Sequence, residues 1–333
     1  MAMKKFINDP ANLTVELLDG LCTAFSDKLS LVSEKLVCRA TPKDSDKVAI
    51  VTLGGSGHEP ALQAFVGEGL IDISVVGDIF AAPNGPKVFE ALKMMNREAG
   101  VLFVVLNHAG DVLSANIAME MAAEAGLNVK MILTHEDIAP GADAPAEDKR
   151  GLVGCVPLYK IAGAAAEAGK SLDEVFAIAE RFNNNMATLA VAMKIATNPQ
   201  NGGEIGKIAD DEMEIGMGQH GEAGTGPCKI MSADDTAKAM VERLIPAIGA
   251  VKGDKVLLAI NGSGATTHME MFLIYRAARK VLADAGIETA CSMVGEYLTV
   301  QEMGGFQMFL AKMDDELIEL FGAPCDSPYW TVK

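Results

Sequence analysis

Two glycine-rich stretches each carry a histidine. In residues 214–226, five of thirteen residues are glycine (Gly216, Gly218, Gly221, Gly224 and Gly226), and His220 stands in their midst. Residues 53–60 read Leu53-Gly54-Gly55-Ser56-Gly57-His58-Glu59-Pro60 and repeat the pattern of glycines leading into a histidine. Glycines at this density allow positive φ and let a ligand approach the main chain closely. An imidazole presented on such a loop is available as a nucleophile or a metal ligand. Either stretch alone is also compatible with a mobile turn that holds an incidental histidine. The recurrence of the pattern is what argues for chemistry.

Three histidines remain: His108, His135 and His268. His108 lies in Asn107-His108-Ala109-Gly110-Asp111, at the end of an apolar run. His135 sits in a strand-to-loop connection and His268 opens a helix, and no role is expected for either. Histidines and carboxylates make zinc conceivable, but their spacing matches no ligand pattern, so no metal is expected. The stretch from Gly221 to Gly226 has P-loop glycine spacing, yet Pro227 and Cys228 replace the lysine and hydroxyl such a loop requires. No G-x-G-x-x-G follows the first strand. The chain therefore carries no recognisable nucleotide site, and no cofactor is expected on it.

The elements that must position these groups alternate between strand and helix. Apolar runs predict strands over 47–53, 71–76, 101–106 and 129–133. Helical spacing covers 13–29, 60–66, 88–97, 112–125, 158–168 and 172–182. This alternation implies a mostly parallel sheet with helices on both faces, and ligands in such sheets sit beyond the carboxyl ends of the strands. His58 and Asp111 then share one edge. Asn183-Asn184-Asn185 marks the best boundary, which gives an N-terminal α/β domain over 1–184 and a second, mixed-sheet α/β domain over 185–333. In the second, strands are expected at 187–194, 255–260, 287–294 and 307–311, and helices at 234–248, 269–285 and 316–321.

With 333 residues, half of them hydrophobic, the chain has ample core volume for two domains. A net charge of −17 argues against nucleic acid or an anionic membrane as partner. No apolar run approaches a membrane span, and residues 1–6 show no secretory h-region. The six cysteines are scattered, with no C-x-x-C, as in a cytoplasmic protein with reduced thiols.

Taken together, the loops resemble the substrate-binding subunit of dihydroxyacetone kinases. The resemblance rests on Gly54-Gly55-Ser56-Gly57-His58-Glu59-Pro60, Asn107 with Gly110-Asp111, Asp211-Glu212-Met213-Glu214, Gly218 with His220-Gly221-Glu222, and Asn261-Gly262. It implies two α/β domains and a homodimer. It also implies a small hydroxyketone held covalently on His220 as a hemiaminal. His58 would assist at the hydroxyl or hemiaminal oxygen, and Asp111 would accept the proton of the terminal hydroxyl. Gly55, Ser56 and Gly57 would bind substrate oxygens. ADP or ATP with magnesium would sit on a separate helical subunit, recharged by ATP or by a phosphotransferase-system phosphocarrier. A ketone-sensing coregulator that keeps the covalent histidine is the alternative of a different class, and Asp111 favours the enzyme.

The chain departs from the family pattern at four positions in two stretches. The family sequence K-N-Y-T-G-D becomes Leu106-Asn107-His108-Ala109-Gly110-Asp111, so Leu106 replaces a substrate-contacting lysine and His108 a tyrosine. H-G-E-P-G becomes His220-Gly221-Glu222-Ala223-Gly224. Leu106 cannot donate a hydrogen bond, and altered specificity, for instance towards a tetrulose, is expected.

Overall fold

The computed structural model describes residues 4–333; the reading of the N-terminus falls partly on residues 1–3, outside the described residues. The first sheet is built from β1 (Leu29–Ser33), β2 (Leu36–Arg39), β3 (Ala49–Ser56), β4 (Ile73–Ile79), β5 (Val101–Leu106) and β6 (Val129–Thr134). Its order is β1-β2-β4-β3-β5-β6. Strands β3 to β6 are parallel, and β1 and β2 form an antiparallel hairpin on the β4 edge. Alternate residues of β3 serve opposite faces, as a pleated strand requires. Ala49, Val51 and Leu53 pack under α2 (Gly85–Met94) and α3 (Ala109–Glu124), and Ile50 joins the core on the other side.

That second face meets α1 (Leu13–Ala24), α4 (Cys155–Glu167) and α5 (Leu172–Asn183). Beyond α4 and α5 lies the second sheet, made of β7 (Met186–Lys194), β8 (Glu212–Ile215), β9 (Pro227–Lys229), β10 (Lys255–Gly262), β11 (Glu288–Gly295) and β12 (Gly304–Met313). Its order is β11-β10-β12-β7-β8-β9, with only β10 and β11 parallel. Leu257 and Ala259 of β10 share the central core with α4 and α5, whereas Val256, Leu258 and Ile260 face α6 (Ala233–Ala247) and α7 (His268–Asp284). A short helix, α8 (Asp315–Gly322), and a small hairpin of β13 (Cys325–Asp326) and β14 (Thr331–Val332) complete the chain. The layers run helix, sheet, helix, sheet, helix. The division expected after residue 184 falls between α5 and β7, and the central core crosses it. No helix among the described residues is long and apolar enough to cross a membrane.

Three expectations need correction. Residues 60–66 are not an α-helix but a tight turn with a 3₁₀ segment at Gln63–Phe65. Side chains bond the backbone there: Glu59 accepts the Gly57 N–H at 3.0 Å, and Gln63 accepts the Leu62 N–H at 3.0 Å and donates to Glu59 at 3.1 Å. Such local bonds compete with helix. Helix α1 ends at Ala24 rather than 29, and Leu29 and Leu31 turn out to belong to β1, where their spacing of two suits a strand. Helix α3 begins at Ala109 rather than 112, which puts Asp111 in its first turn and His108 at its N-cap position.

Every residue of α4 but Glu167 is buried, because the helix is packed on both sides. Its alanines and Gly163 let neighbouring backbone come close. A Cβ on Gly163 would lie 2.5 Å from the Gly69 carbonyl oxygen. Alanine is the better helix former by about 1 kcal/mol, but overpacking against backbone costs about 1–3 kcal/mol. We expect Gly163→Ala to lower the urea midpoint; an unchanged or higher midpoint would show that α4 can shift.

Candidate active site

Three chain segments converge at the carboxyl edge of the first sheet. The end of β3 delivers Gly54, Gly55 and His58, and the end of β5 delivers Leu106, with His108 and Asp111 opening α3. The third segment crosses from the second sheet: the loop after β8 brings Gln219, His220 and Glu222. That loop is braced from several sides. Gly218 N–H donates to the Glu222 carbonyl at 2.8 Å, Gly224 N–H to the Glu214 carboxylate at 2.6 Å, and Arg150 to the Gly216 carbonyl at 2.8 Å. Gly221 has φ +82°, and a Cβ there would meet the Ile205 carbonyl oxygen at 1.8 Å, so only glycine fits this bend.

The segment after β11 locks the two sheets' loops together. Asn261 accepts the N–H groups of Tyr297 and Leu298 at 2.8 and 2.9 Å and donates to the Leu298 carbonyl at 2.7 Å. Thr299 N–H then donates to the His58 carbonyl at 3.1 Å, and the Thr299 hydroxyl to the Glu59 carbonyl at 2.7 Å. In return, His58 Nδ1 donates to the Thr299 carbonyl at 2.8 Å.

The result is a small, partly open cavity bounded by both histidine loops and by Phe80. The Phe80 ring centre lies 5.1 Å from that of His58 and 5.6 Å from that of His220. The Nε2 atoms of His58 and His220 are 3.1 Å apart. His220 Nδ1 lies 3.2 Å from the Glu222 carboxylate, which also accepts the His220 backbone N–H at 2.9 Å. An imidazole whose Nδ1–H is held by a carboxylate keeps Nε2 for chemistry and gains a counter-charge when it becomes cationic. Asp111 aims a buried Oδ1 with no hydrogen-bond partner at this space.

Burial sets the electrostatics. His58 is pushed down to about 3 and His108 to about 4, in both cases chiefly by burial and then by the charge of His220. Asp111 is pushed up to about 7 by burial, with a partial offset from His220. For Glu222 burial acts upwards, but the hydrogen bond and charge of His220 prevail and hold it well below the usual carboxylate range.

Residues 19–329 match the Dak1 domain. The chain belongs to the Dak1 family. It is 35% identical over 329 residues to the dihydroxyacetone-binding subunit DhaK of PTS-dependent dihydroxyacetone kinase 1 from Listeria innocua, which covers 98% of this chain and 100% of the relative. It is 32% identical over 330 residues to the L-erythrulose kinase of Pectobacterium atrosepticum, covering 98% of this chain and 56% of that enzyme. Among solved structures, the dihydroxyacetone kinase operon co-activator DhaQ superposes with a TM-score of 0.90 at 28% identity, over 96% of this chain and 98% of that one. The chain is thus a dihydroxyacetone-kinase-like subunit, and the family resemblance carried by its loops extends over almost its whole length.

Within this Dak1 fold, the cavity gathers Gly55, His58, Leu106, His108, Asp111 and His220. The Ser56 side chain turns elsewhere: its hydroxyl is fully buried and donates to the Gly77 carbonyl at 2.8 Å, and Ser56 is not among the residues lining the cavity. Gly57 spends its N–H on the Glu59 carboxylate, so it has none left for a ligand. His135 pairs with the Asn183 amide and His268 opens α7, both elsewhere in the fold. Sequence reasoning missed Phe80, Gln219, Leu298 and Thr299. Gln219 adjoins His220 and could have been suspected; Thr299 is 241 positions from the histidine it holds, and no local pattern signals that. Donor atoms of His108, His220 and Glu222 also lie within 4.8 Å of one another, a grouping invisible in the spacing. His220 and Glu222 already bond each other, and His108 Nε2 lies 2.8 Å from the Gly151 carbonyl.

The buried histidines make a testable contribution to stability. Between the ordinary histidine value of 6.5 and folded values of about 3 and 4, the unfolded chain binds protons that the folded chain refuses. Their contribution therefore falls as pH drops through that window. Buried Asp111 and Glu136, both pushed up to about 7, act with the opposite sign, so the informative quantity is a difference between variants. We expect His108→Tyr to lose less Tm than the wild type between pH 7 and pH 4.5. Parallel Tm profiles would show that His108 titrates alike in both states.

Proposed function

We propose that this chain binds dihydroxyacetone or a related short-chain hydroxyketone as a hemiaminal on His220 and presents the terminal hydroxyl for phosphorylation. The observation that carries this reading is the His58–His220 contact of 3.1 Å in a cavity shared with Asp111. Both Nδ1 atoms face acceptors, a carbonyl for His58 and a carboxylate for His220, so each carries a proton. Two bare Nε2 atoms would then confront each other, and one further proton between them resolves the contact. As His220 Nε2 attacks the ketone carbon, the C–O π pair moves to oxygen, and the proton from the histidine pair passes through His58 Nε2 to that oxygen. Atoms and charge balance: the alkylated imidazolium stays paired with Glu222, and His58 ends neutral. A three-carbon polyol offers few atoms to grip, whereas a reversible covalent bond selects ketones over glycerol-like compounds, which lack an electrophilic carbon.

Asp111 is the base for the terminal hydroxyl. A carboxyl near 7 is half-ionised at neutral pH, which suits proton transfer to and from an alcohol at working pH. The phosphoryl donor belongs to a separate nucleotide-binding subunit carrying ADP or ATP with magnesium. The PTS-dependent relative supports recharging by a phosphotransferase-system phosphocarrier. A cytoplasmic homodimer, with the chain divided near residues 184 and 185, is part of this proposal. The likeness to the co-activator DhaQ supports a second reading, a ketone-sensing coregulator. A hydroxyl base is superfluous in a sensor, and the unpartnered Asp111 favours the kinase.

We expect His220→Ala to abolish calorimetric binding of dihydroxyacetone with an unchanged melting profile, since the side chain carries little core packing. Unchanged affinity would remove His220 from the role. Asp111→Asn, supplied with a competent partner, should lower kcat by about 10²–10⁴ with a smaller change in affinity. In the wild type the rate should rise with pH through an apparent pKa near 7, and the variant should lack that limb. Turnover of the variant within about threefold of the wild type would reopen the sensor reading.

A further inference from the structure

His108 and Gln219 meet at the cavity wall, and their hydrogen bonds can be shared in only one way. His108 Nε2 lies 2.8 Å from the Gly151 carbonyl oxygen and 2.9 Å from the side-chain amide of Gln219. Burial keeps His108 neutral near pH 7, so the ring has a single N–H. A carbonyl oxygen can only accept, and the contact with Gly151 therefore places that proton on Nε2. A protonated Nε2 cannot also accept from the Gln219 –NH₂; it needs the amide oxygen beside it. The two ends of a glutamine amide have the same outline, and the hydrogen-bond network decides which is which. With the oxygen towards His108, the –NH₂ takes the other position. That position is buried and without a protein partner, on a side chain that is 4% exposed and lines the cavity.

The side chains lining the cavity offer few donors. Those of Phe80, Leu106 and Leu298 offer it only carbon, and Asp111 Oδ1, the other partnerless buried side-chain atom among its lining residues, is an acceptor when ionised. We infer that the Gln219 amide is a substrate-binding group that donates a hydrogen bond to an oxygen of the hydroxyketone, on the wall where Leu106 provides none. His108 is the residue that orients it. The ligand class follows: one hydroxyl whose proton goes to Asp111, and a second oxygen with a free lone pair for Gln219. The inference rests on the reading of this cavity as the ketone site.

The test uses the full chain and dihydroxyacetone as the calorimetric probe. Gln219→Met keeps the bulk without polar atoms, and Gln219→Glu keeps an acceptor for His108 but cannot donate at pH 7.5. Both should bind about ten- to a hundredfold more weakly than the wild type, with unchanged melting profiles. Gln219→Glu within about threefold of the wild type would overturn the donor role, whatever the effect of Gln219→Met, and would leave Gln219 as a brace for His108. A second measurement is independent of any ketone: ¹⁵N shifts of the histidine rings in the free protein should show His108 protonated on Nε2. An Nδ1–H tautomer would overturn the inference. Absence of His220-dependent binding in the wild type, by contrast, would count against the ketone reading itself.

Discussion

The site depends on the buried helical layer between the two sheets. Each sheet by itself presents one histidine loop, and chemistry needs both within hydrogen-bond distance. Helices α4 and α5 share a single apolar core with β3 and β5 on one side and β10 and β12 on the other, so the spacing of the sheets is set by side-chain packing. Close-packed interiors deform little. The start of α4 is pinned as well: the Glu136 carboxylate accepts the N–H groups of Leu152 and Gly154 at 2.7 and 2.8 Å, and Gln307 of the second sheet accepts that of Val153 at 2.9 Å. The Nε2–Nε2 approach of His58 and His220 is a consequence of that rigidity rather than of any local preference.

Within the site, the residues divide by what their hydrogen bonds leave unspent. His58 has one ring nitrogen tied to Thr299 and one free for His220. His220 is tied to Glu222 and faces His58 with the other nitrogen. Asp111 and Gln219 each keep a buried atom without a partner. Buried polar atoms are nearly always satisfied, and exceptions at a cavity wall mark where a ligand completes the network. Here the unspent atoms surround one small space, while Ser56 and Asn261, equally prominent in the sequence, have spent theirs on protein backbone, and Gly57 has spent its N–H on the Glu59 carboxylate.

Low polarity does the rest. Burial lowers His58 and His108, which are uncharged at neutral pH, and raises Asp111, which is only half-ionised there. Glu222, held ionised beside His220, is the exception, and it lies where positive charge develops on an attacking imidazole. Leu106 fits the same pattern, since its side chain brings no charge to the wall.

The sequence alone was enough for the parallel strands, because residues buried on both faces form continuous apolar runs: the range read for β5 was 101–106, as found. It also revealed the histidine loops, since glycine clusters report backbone that side chains would block. It could not reveal the turn at 60–66, where buried Gln63 and half-buried Glu59 replace helical bonds with side-chain ones. Nor could it say which way a loop side chain points, and Ser56 proved to face Gly77. The partnerships of Thr299 with His58 and of Gln219 with His108 span 241 and 111 positions, and only the packing of two sheets on one helical layer brings such residues together. Local pattern encodes the conformation of a segment; contact between distant segments is decided by the global core, and the chemistry of this site cannot be assembled without such contacts.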